Sequence, residues 1–224
     1  MTSLFDAQAA RYDAAYDAPG APGHALRDRL ATVLELAGEG PGEAVDAGMG
    51  PGRLLAELVR RGWQVSGIDS SAEMVALAQA RLPDAEARLV QAPIEALPFA
   101  DASFDLAVAT GVLEYADDLE TALRELARVV RPGGRAIVSL PNWWSASAIL
   151  RGRALYPLAR RAGRATPPAP RRPIRPQELD RLLQAAGLDP IAVRSTSFRP
   201  RVLRRLGLHR LAAQIVFAAE RRRS

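Results

Sequence analysis

Short apolar runs alternate with amphipathic stretches along the chain, and that alternation predicts most of its elements. Residues 3–18 put Phe5, Ala9, Tyr12 and Tyr16 on one helical face. "PGAPG" at 19–23 breaks the pattern. Residues 24–37 resume it through Leu26, Leu30, Val33, Leu34 and Leu36, and "GEGPG" stops it. "EAVDAG" (43–48) then reads as a buried strand, 52–61 as a helix closed by Gly62, and "WQVSGIDSS" as a second strand. Ser70 and Ser71 are placed to cap the helix "AEMVALAQARL", with Glu73 spaced from Ser70 as in a capping box. "ARLVQA" and "FDLAVATGVL" predict two more strands, 117–130 a helix, "RPGG" a turn and "RAIVSLPN" a fifth strand. Residues 143–162 read as a helix interrupted near Gly152 and Pro157, and 163–176, with five prolines, as a loop. "QELDRLLQAAG" is a helix, "IAVRSTSF" a sixth strand, "RVLRRLGLHRL" helical and "QIVFAAERR" a seventh strand. Strands alternating with helices predict βαβ units in one α/β domain over 1–224, with a mostly parallel sheet covered on both faces.

Composition removes several chemistries. With no cysteine there are no disulfides, no thiolate catalysis and no cysteine-held metal. Two histidines, His24 and His209, lie far apart, so no protein-built metal site is expected. The start has no basic region followed by an apolar run, and no stretch of about 18 apolar residues occurs, so a cytoplasmic protein is expected. All 30 basic residues are arginine. Residues 1–150 carry a net −9 and residues 151–224 a net +14. That asymmetry leaves an anionic substrate, or contact with an anionic membrane surface, open for the last third. The sequence does not indicate an oligomeric state.

The candidate chemistry sits at the end of the first strand. Asp46 followed by Gly48-x-Gly50-x-Gly52 and a helix makes a turn suited to a nucleotide or anion, because glycines admit close approach and the helix start offers free N–H groups. A dinucleotide fingerprint would place its third glycine where Arg53 stands, and a P-loop would need a lysine that the chain lacks. Asp69, ending the second strand 21 residues after Gly48, is placed to accept both hydrogen bonds of a ribose diol.

Together, "VDAGMGPGRL", "GIDSSAEMVALA", "IEALPFADASFDLAVATGVLEYADD" and "ALRELARVVRPGGRAIVSLPN" resemble the class I S-adenosylmethionine-dependent methyltransferases in order and spacing. The resemblance covers residues 5–142 well, and within the family it is most similar to small-molecule enzymes, including quinone-pathway O-methyltransferases. It implies a Rossmann-like fold whose seven-stranded, mostly parallel sheet ends in an antiparallel strand, and S-adenosyl-L-methionine as cofactor. It implies that Gly48, Gly50 and Gly52 pack against the methionine portion with Asp46 near it and that Asp69 holds the ribose, Met49 and Ser70 being further cofactor-binding candidates. Met74, Pro93 and Ile94 would line the adenine region, with Thr110 and Gly111 completing the set. Tyr12 and Tyr16 fall where related proteins carry an N-terminal lid, here residues 1–40, or they are core aromatics. Relatives commonly have an acid where Pro93 stands; without it, adenine recognition falls to the Ile94 N–H, apolar packing, Gln91 or Glu95.

Glu114, Tyr115 and His24 are the candidate catalytic residues, His24 being equally readable as a surface residue. An acid at Glu114 binds metal in some relatives, but Tyr115 replaces the histidine beside it there, so no metal is expected. Residues 143–176, rich in Trp and Arg, are expected to cap the acceptor site. They suit a lipophilic or aromatic acceptor with an anionic group, an interfacial segment, or plain cover for the sheet edge. Methyl transfer to a small acceptor, with oxygen favoured, is the expected function. A nucleic-acid or lipid-head-group methyltransferase and a non-catalytic cofactor-binding protein are the alternatives. Nucleic acid is not the expected partner, because "GVLEYADD" replaces the Asp/Asn-Pro-Pro-aromatic run of base methyltransferases.

Overall fold

Alternating side chains on the strands divide the core into two layers. In strand β4 (Phe104–Thr110), Leu106 and Val108 face one side of the sheet, and Ala107 and Ala109 the other. Strands β5 (Val130–Pro141) and β7 (Gln214–Arg221) continue the division, Ile137 and Val216 joining the first layer, Val138 and Phe217 the second. Both layers are closed by amphipathic helices. Helix α2 (Ala21–Ala37) and α3 (Arg53–Arg60) bury Val33, Leu34, Leu55 and Leu58 on one side, while α5 (Leu119–Val129) and α6 (Pro176–Ala185) bury Leu123, Leu126, Leu179 and Leu183 on the other.

The computed structural model describes residues 5–141, 174–196 and 214–223. The remaining strands are β1 (Gly42–Ala47), β2 (Trp63–Asp69), β3 (Arg88–Gln91) and β6 (Leu188–Thr196), and the remaining helices α1 (Ala9–Ala15) and α4 (Ala72–Arg81). The seven strands run in the order β3-β2-β1-β4-β5-β7-β6. The pairs among β1 to β5 are parallel, and β7 runs antiparallel to both its neighbours, β5 and β6. This is the mostly parallel sheet with an antiparallel last strand that the resemblance implies. A wedge of sheet between β5 and β6 is thus filled by the chain's last strand, which has to return from the far edge.

Local departures from the sequence reading are small and have physical causes. "RPGG" is not a free turn before β5: Phe104 pairs with Val130 and Leu106 already with Arg135, so the four residues bulge out of a strand that began earlier. Helix α2 starts inside "PGAPG", because proline is accommodated in a first turn where its missing N–H costs nothing. The cap of α4 is Ser71, whose hydroxyl accepts the Met74 N–H at 3.2 Å; Ser70 caps nothing there, and Glu73 is too near the cap to close a capping box. The predicted 143–176 cap up to residue 173, including Trp143 and Trp144, and the helix at 201–211 fall outside the described residues. Among the described residues no helix is long and apolar enough to cross a membrane.

Candidate functional site

The neighbours β1 and β4 mark the point where strand order reverses, and open α/β sheets bind ligands at the carboxyl ends of strands flanking such a point. A pocket opens there, with about 400 Å3 of space between its walls counting the open solvent it includes. Tyr12, Tyr16, Arg29, Asp46, Gly48, Met49, Gly50, Arg53 and Thr110 help to line it.

The glycine loop is held by β2. The Gly48 and Met49 N–H groups donate to the Ile68 carbonyl at 2.8 and 2.9 Å, bending the chain across the strand ends. The three glycines do different things. A Cβ on Gly48 would lie 2.6 Å from Val112, and one on Gly52 2.9 Å from the Ala78 Cβ, so both are packing sites. At Gly50 a Cβ would meet, among the described residues, only Tyr12, at 3.8 Å, so that side of the loop faces the pocket that Gly50 and Tyr12 line. Met49 is buried, and its sulfur lies over Gly67 of β2, where any Cβ would collide with it. The methionine fits because the strand beneath has no side chain.

Asp69 joins loop to helix. One carboxylate oxygen accepts the Gly50 N–H and the other the Ser71 N–H, both at 2.9 Å. The Ser70 N–H interacts with it too, so of a carboxylate's roughly four acceptor positions not all are taken and a ligand diol can still be bound. Burial pushes Asp69 upward, partly offset by the Ser71 and Gly50 N–H groups. Asp46, at the end of β1, is 3% exposed, and its Oδ1 has no hydrogen-bond partner. Burial, with the nearby Asp69 charge, pushes its pKa to about 7, against the pull of Arg29. Glu114, in the 3-10 turn Leu113–Tyr115 after β4, is alike: 5% exposed, Oε2 unpartnered, and raised by burial to about 7.

Between these acids stands Arg29 of α2, a residue the sequence reading passed over. It is 6% exposed, its guanidinium donating to the Tyr12 hydroxyl at 3.0 Å and reaching Gln214 Oε1 at 3.5 Å. Its helical neighbours Leu26, Leu30 and Val33 made position 29 look like the rim of an apolar stripe; no local signal marks it as buried.

Helix α1 closes the pocket from outside. Arg53 Nε donates to Asp13 at 2.7 Å, Arg81 donates to the other oxygen of Asp13 at 2.9 Å, and Arg53 also binds Asp17. Burial pushes Asp13 up, but Arg81 and Arg53 outweigh it and hold the carboxylate below its usual range. Tyr12 and Tyr16 meet edge to face at 5.8 Å, and Arg53 lies over the Tyr16 ring. Further out, the Ser71 hydroxyl donates to Asp6, and Phe5 packs edge-on against Tyr115 at 5.1 Å. The N-terminal segment therefore bridges the loops after β2 and β4.

The other candidates fall around this centre. Met74 is buried on α4, and Ile94 is buried after β3. Pro93 and Ser70 are exposed. Gln91 donates through Nε2 to the Ser70 carbonyl at 3.0 Å, and Glu95 Oε1 accepts the Asp117 N–H at 2.7 Å. Thr110 lines the pocket, and the Gly111 N–H donates to the Ser139 hydroxyl at 3.1 Å. His24 is exposed on the first turns of α2 and is not among the pocket residues. Among the described residues no cluster of three acids or histidines could hold a metal.

The residues fit the methionine and ribose portions of S-adenosylmethionine: an orphaned buried carboxyl oxygen at Asp46 for an ammonium, and acceptor capacity at Asp69 for a ribose diol, with Gly50 bonded to Asp69 and open to the pocket. Comparison with known proteins agrees. Residues 45–138 match a family model described as a methyltransferase domain. The chain is 43% identical over 114 residues to the malonyl-[acyl-carrier protein] O-methyltransferase of Pseudescherichia vulneris, covering 50% of this chain and 45% of that one. It is 36% identical over 145 residues to the ubiquinone/menaquinone biosynthesis C-methyltransferase UbiE of Rubrivivax gelatinosus, covering 63% and 57%. The chain thus spans about half the length of the curated relatives it matches. Its fold is like that of a S-adenosylmethionine-dependent methyltransferase from Thermotoga maritima, with a TM-score of 0.72, 21% identity, and 97% and 98% of the two chains covered.

Proposed function

We propose, on the premise that this chain carries a class I S-adenosylmethionine-dependent methyltransferase domain, that it transfers the cofactor's methyl group to a small acceptor, with oxygen as the favoured receiving atom. The observation that carries the reading is the convergence of Asp46, Gly50 and Asp69 at the switch point: Asp46, with an unpartnered oxygen, and Gly50 line one pocket, and Asp69 accepts the Gly50 N–H beside it.

The cofactor, when bound, supplies an already activated methyl on a sulfonium. What the chain must add is placement and exclusion of water, and proximity of this kind is worth roughly 7–11 kcal/mol of barrier. Asp69 holds the ribose through its remaining acceptor capacity. Asp46 receives the ammonium of the methionine portion, and gaining that partner favours its charged form. Tyr12, Tyr16 and the Asp13–Arg53–Arg81 cluster keep α1 over the pocket and exclude bulk water.

Glu114 suits the role of general base for a hydroxyl acceptor. It is buried, it has a free oxygen, and a pKa near 7 balances proton affinity against availability. His24, exposed on α2, has less to support it. That one relative is an O-methyltransferase supports oxygen as the acceptor atom, while the UbiE relative keeps carbon as the second reading. The expected cap over 143–176 would supply acceptor specificity.

Calorimetry with S-adenosylhomocysteine tests the cofactor, and radiolabelled methyl transfer into extracts tests the activity. Binding is expected for the wild type and strongly reduced for Asp69→Ala. Equal affinity in the two proteins would remove Asp69 from the cofactor site, and binding of NAD(P) instead would overturn the reading.

A further inference from the structure

Strand β5 buries five residues in a row, Ala136 to Leu140, and one of them is polar: Ser139, 0% exposed. A hydroxyl buried in a strand costs free energy unless it is bonded, and this one accepts the Gly111 N–H at 3.1 Å. The bond decides where the neighbouring strand stops. Thr110 opposite Ser139 is the last pair between β4 and β5. The next N–H, that of Gly111, goes to the Ser139 side chain and not to a strand carbonyl, so β4 leaves the sheet there. Gly111 makes the exit with φ +72°, and a Cβ on it would lie 2.6 Å from the Arg29 guanidinium.

Glu114 follows three residues later, and the segment between is keyed into its surroundings. Val112 sits against Gly48 of the glycine loop, where a Cβ would come within 2.6 Å of it. The Tyr115 N–H closes the 3-10 turn on the Val112 carbonyl at 2.8 Å. The Glu114 carboxyl is held less well, its Oε2 having no hydrogen-bond partner among the described residues. Its place is therefore set by the backbone of 111–115, and Ser139 is where that backbone is tied to the sheet.

We propose that Ser139 is a positioning residue for Glu114: through the Gly111 N–H it fixes the turn that carries the carboxyl, and it touches neither cofactor nor acceptor. It is not among the residues that line the pocket. The proposal rests on the reading of Glu114 as general base. In that step Glu114 takes the proton of the acceptor hydroxyl as the O–CH3 bond forms and the S–CH3 bond breaks, which turns the sulfonium into a neutral thioether. A base displaced by about 1 Å forfeits on the order of 10²-fold in rate.

The test compares the wild type with Ser139→Ala, Ser139→Thr and Glu114→Gln in the full chain. NMR follows exchange of the Gly111 amide and titration of the Glu114 carboxyl, and calorimetry gives the affinity for S-adenosylhomocysteine. In Ser139→Ala the Gly111 amide should exchange roughly tenfold faster, the order of one hydrogen bond. The Glu114 midpoint should fall from about 7 toward the ordinary 4.5 as the carboxyl gains water. S-adenosylhomocysteine should bind within about twofold of wild type, because Ser139 acts on the base and not on the cofactor. Ser139→Thr, which keeps the hydroxyl, should restore the exchange rate and the titration. Should Ser139→Ala fail to fold, Ser139→Cys, similar in size but a weak acceptor, carries the same comparison. An unmoved Glu114 titration overturns the proposal, since a purely structural bond would quicken exchange and leave the carboxyl in place. So does a loss of S-adenosylhomocysteine affinity of about tenfold or more, which would make Ser139 a support of the cofactor loop. Full methyl transfer into extracts by Glu114→Gln, or a wild type that does not bind S-adenosylhomocysteine, defeats the functional reading instead, and the titration then decides the positioning by itself.

Discussion

Replacing Gly48 and Gly50 separately by alanine separates packing from ligand access within one loop. Both have φ in the left-handed region, +87° at Gly48 and +52° at Gly50, which costs an L-residue roughly 1–2 kcal/mol. Only Gly48 meets a second obstacle. Its new methyl would lie 2.6 Å from both Cβ and Cγ2 of Val112, which must shift, and forced overpacking costs typically about 1–3 kcal/mol. Gly48→Ala should therefore lose roughly 2–5 kcal/mol in all and Gly50→Ala roughly 1–2. In a domain of this size about 1 kcal/mol moves the melting temperature by ~2–4 °C, so the Gly48 variant should melt about 4–20 °C below wild type. Scanning calorimetry without ligand measures that difference. Calorimetric titration of the folded variants then gives the second contrast: the Gly50 methyl extends into the open face of the loop, so this variant should lose more cofactor affinity than stability. A Gly48→Ala protein melting within 2 °C of wild type, or above Gly50→Ala, would refute the assignment of Gly48 to packing and Gly50 to the ligand.

Three further outcomes are expected. Glu114 and Asp46 titrate near 7 in the folded chain against ordinary values of 4.5 and 3.8, so the native state holds protons that the unfolded chain releases between about pH 4 and 7. Their contribution therefore makes stability fall as pH rises through that window, and Glu114→Gln should flatten the fall in urea titrations at pH 5 and 8; an unchanged slope would remove Glu114 as a proton-holding group. If Glu114 is the base, the same variant should lose about 10²–10⁴-fold in turnover on a hydroxyl acceptor, and wild-type turnover should rise with pH to a plateau above about 7. Asp13→Asn removes two partly buried ion pairs worth about 0.2–1 kcal/mol each, so stopped-flow release of S-adenosylhomocysteine should quicken by roughly 2–30-fold, less so at high salt; an unchanged rate would mean α1 does not retain the ligand.

The elements and their order were legible because periodicity is local. The apolar run in "FDLAVAT" and the 3.6-residue spacing in 119–129 each follow from neighbours in the chain, and the sheet's parallel character follows from the helices between strands. The glycine loop and Asp69 were legible for the same reason: each is the end of a strand followed at once by a helix. The details that failed were those a neighbouring segment decides. Ser71 rather than Ser70 caps α4 because Asp69 already holds the Ser71 N–H and sets the chain's direction there. The contacts of Gln91 and Glu95 are likewise set by other segments, one donating to the Ser70 carbonyl and the other accepting from the backbone at 117–118.

Arg29 shows the boundary most clearly. Its helix was evident from Leu26, Leu30 and Val33, and its burial was not. That burial comes from Tyr12, from the bare Gly111, and from Gln214, which lies 185 residues along the chain. The sequence by itself determined the strands, the helices, their handed alternation and the two strand-end motifs, because those depend on side chains a few positions apart. The tertiary structure alone decided which charges leave water, since desolvation is the work of whatever packs on top, and here that cover comes from both ends of the chain.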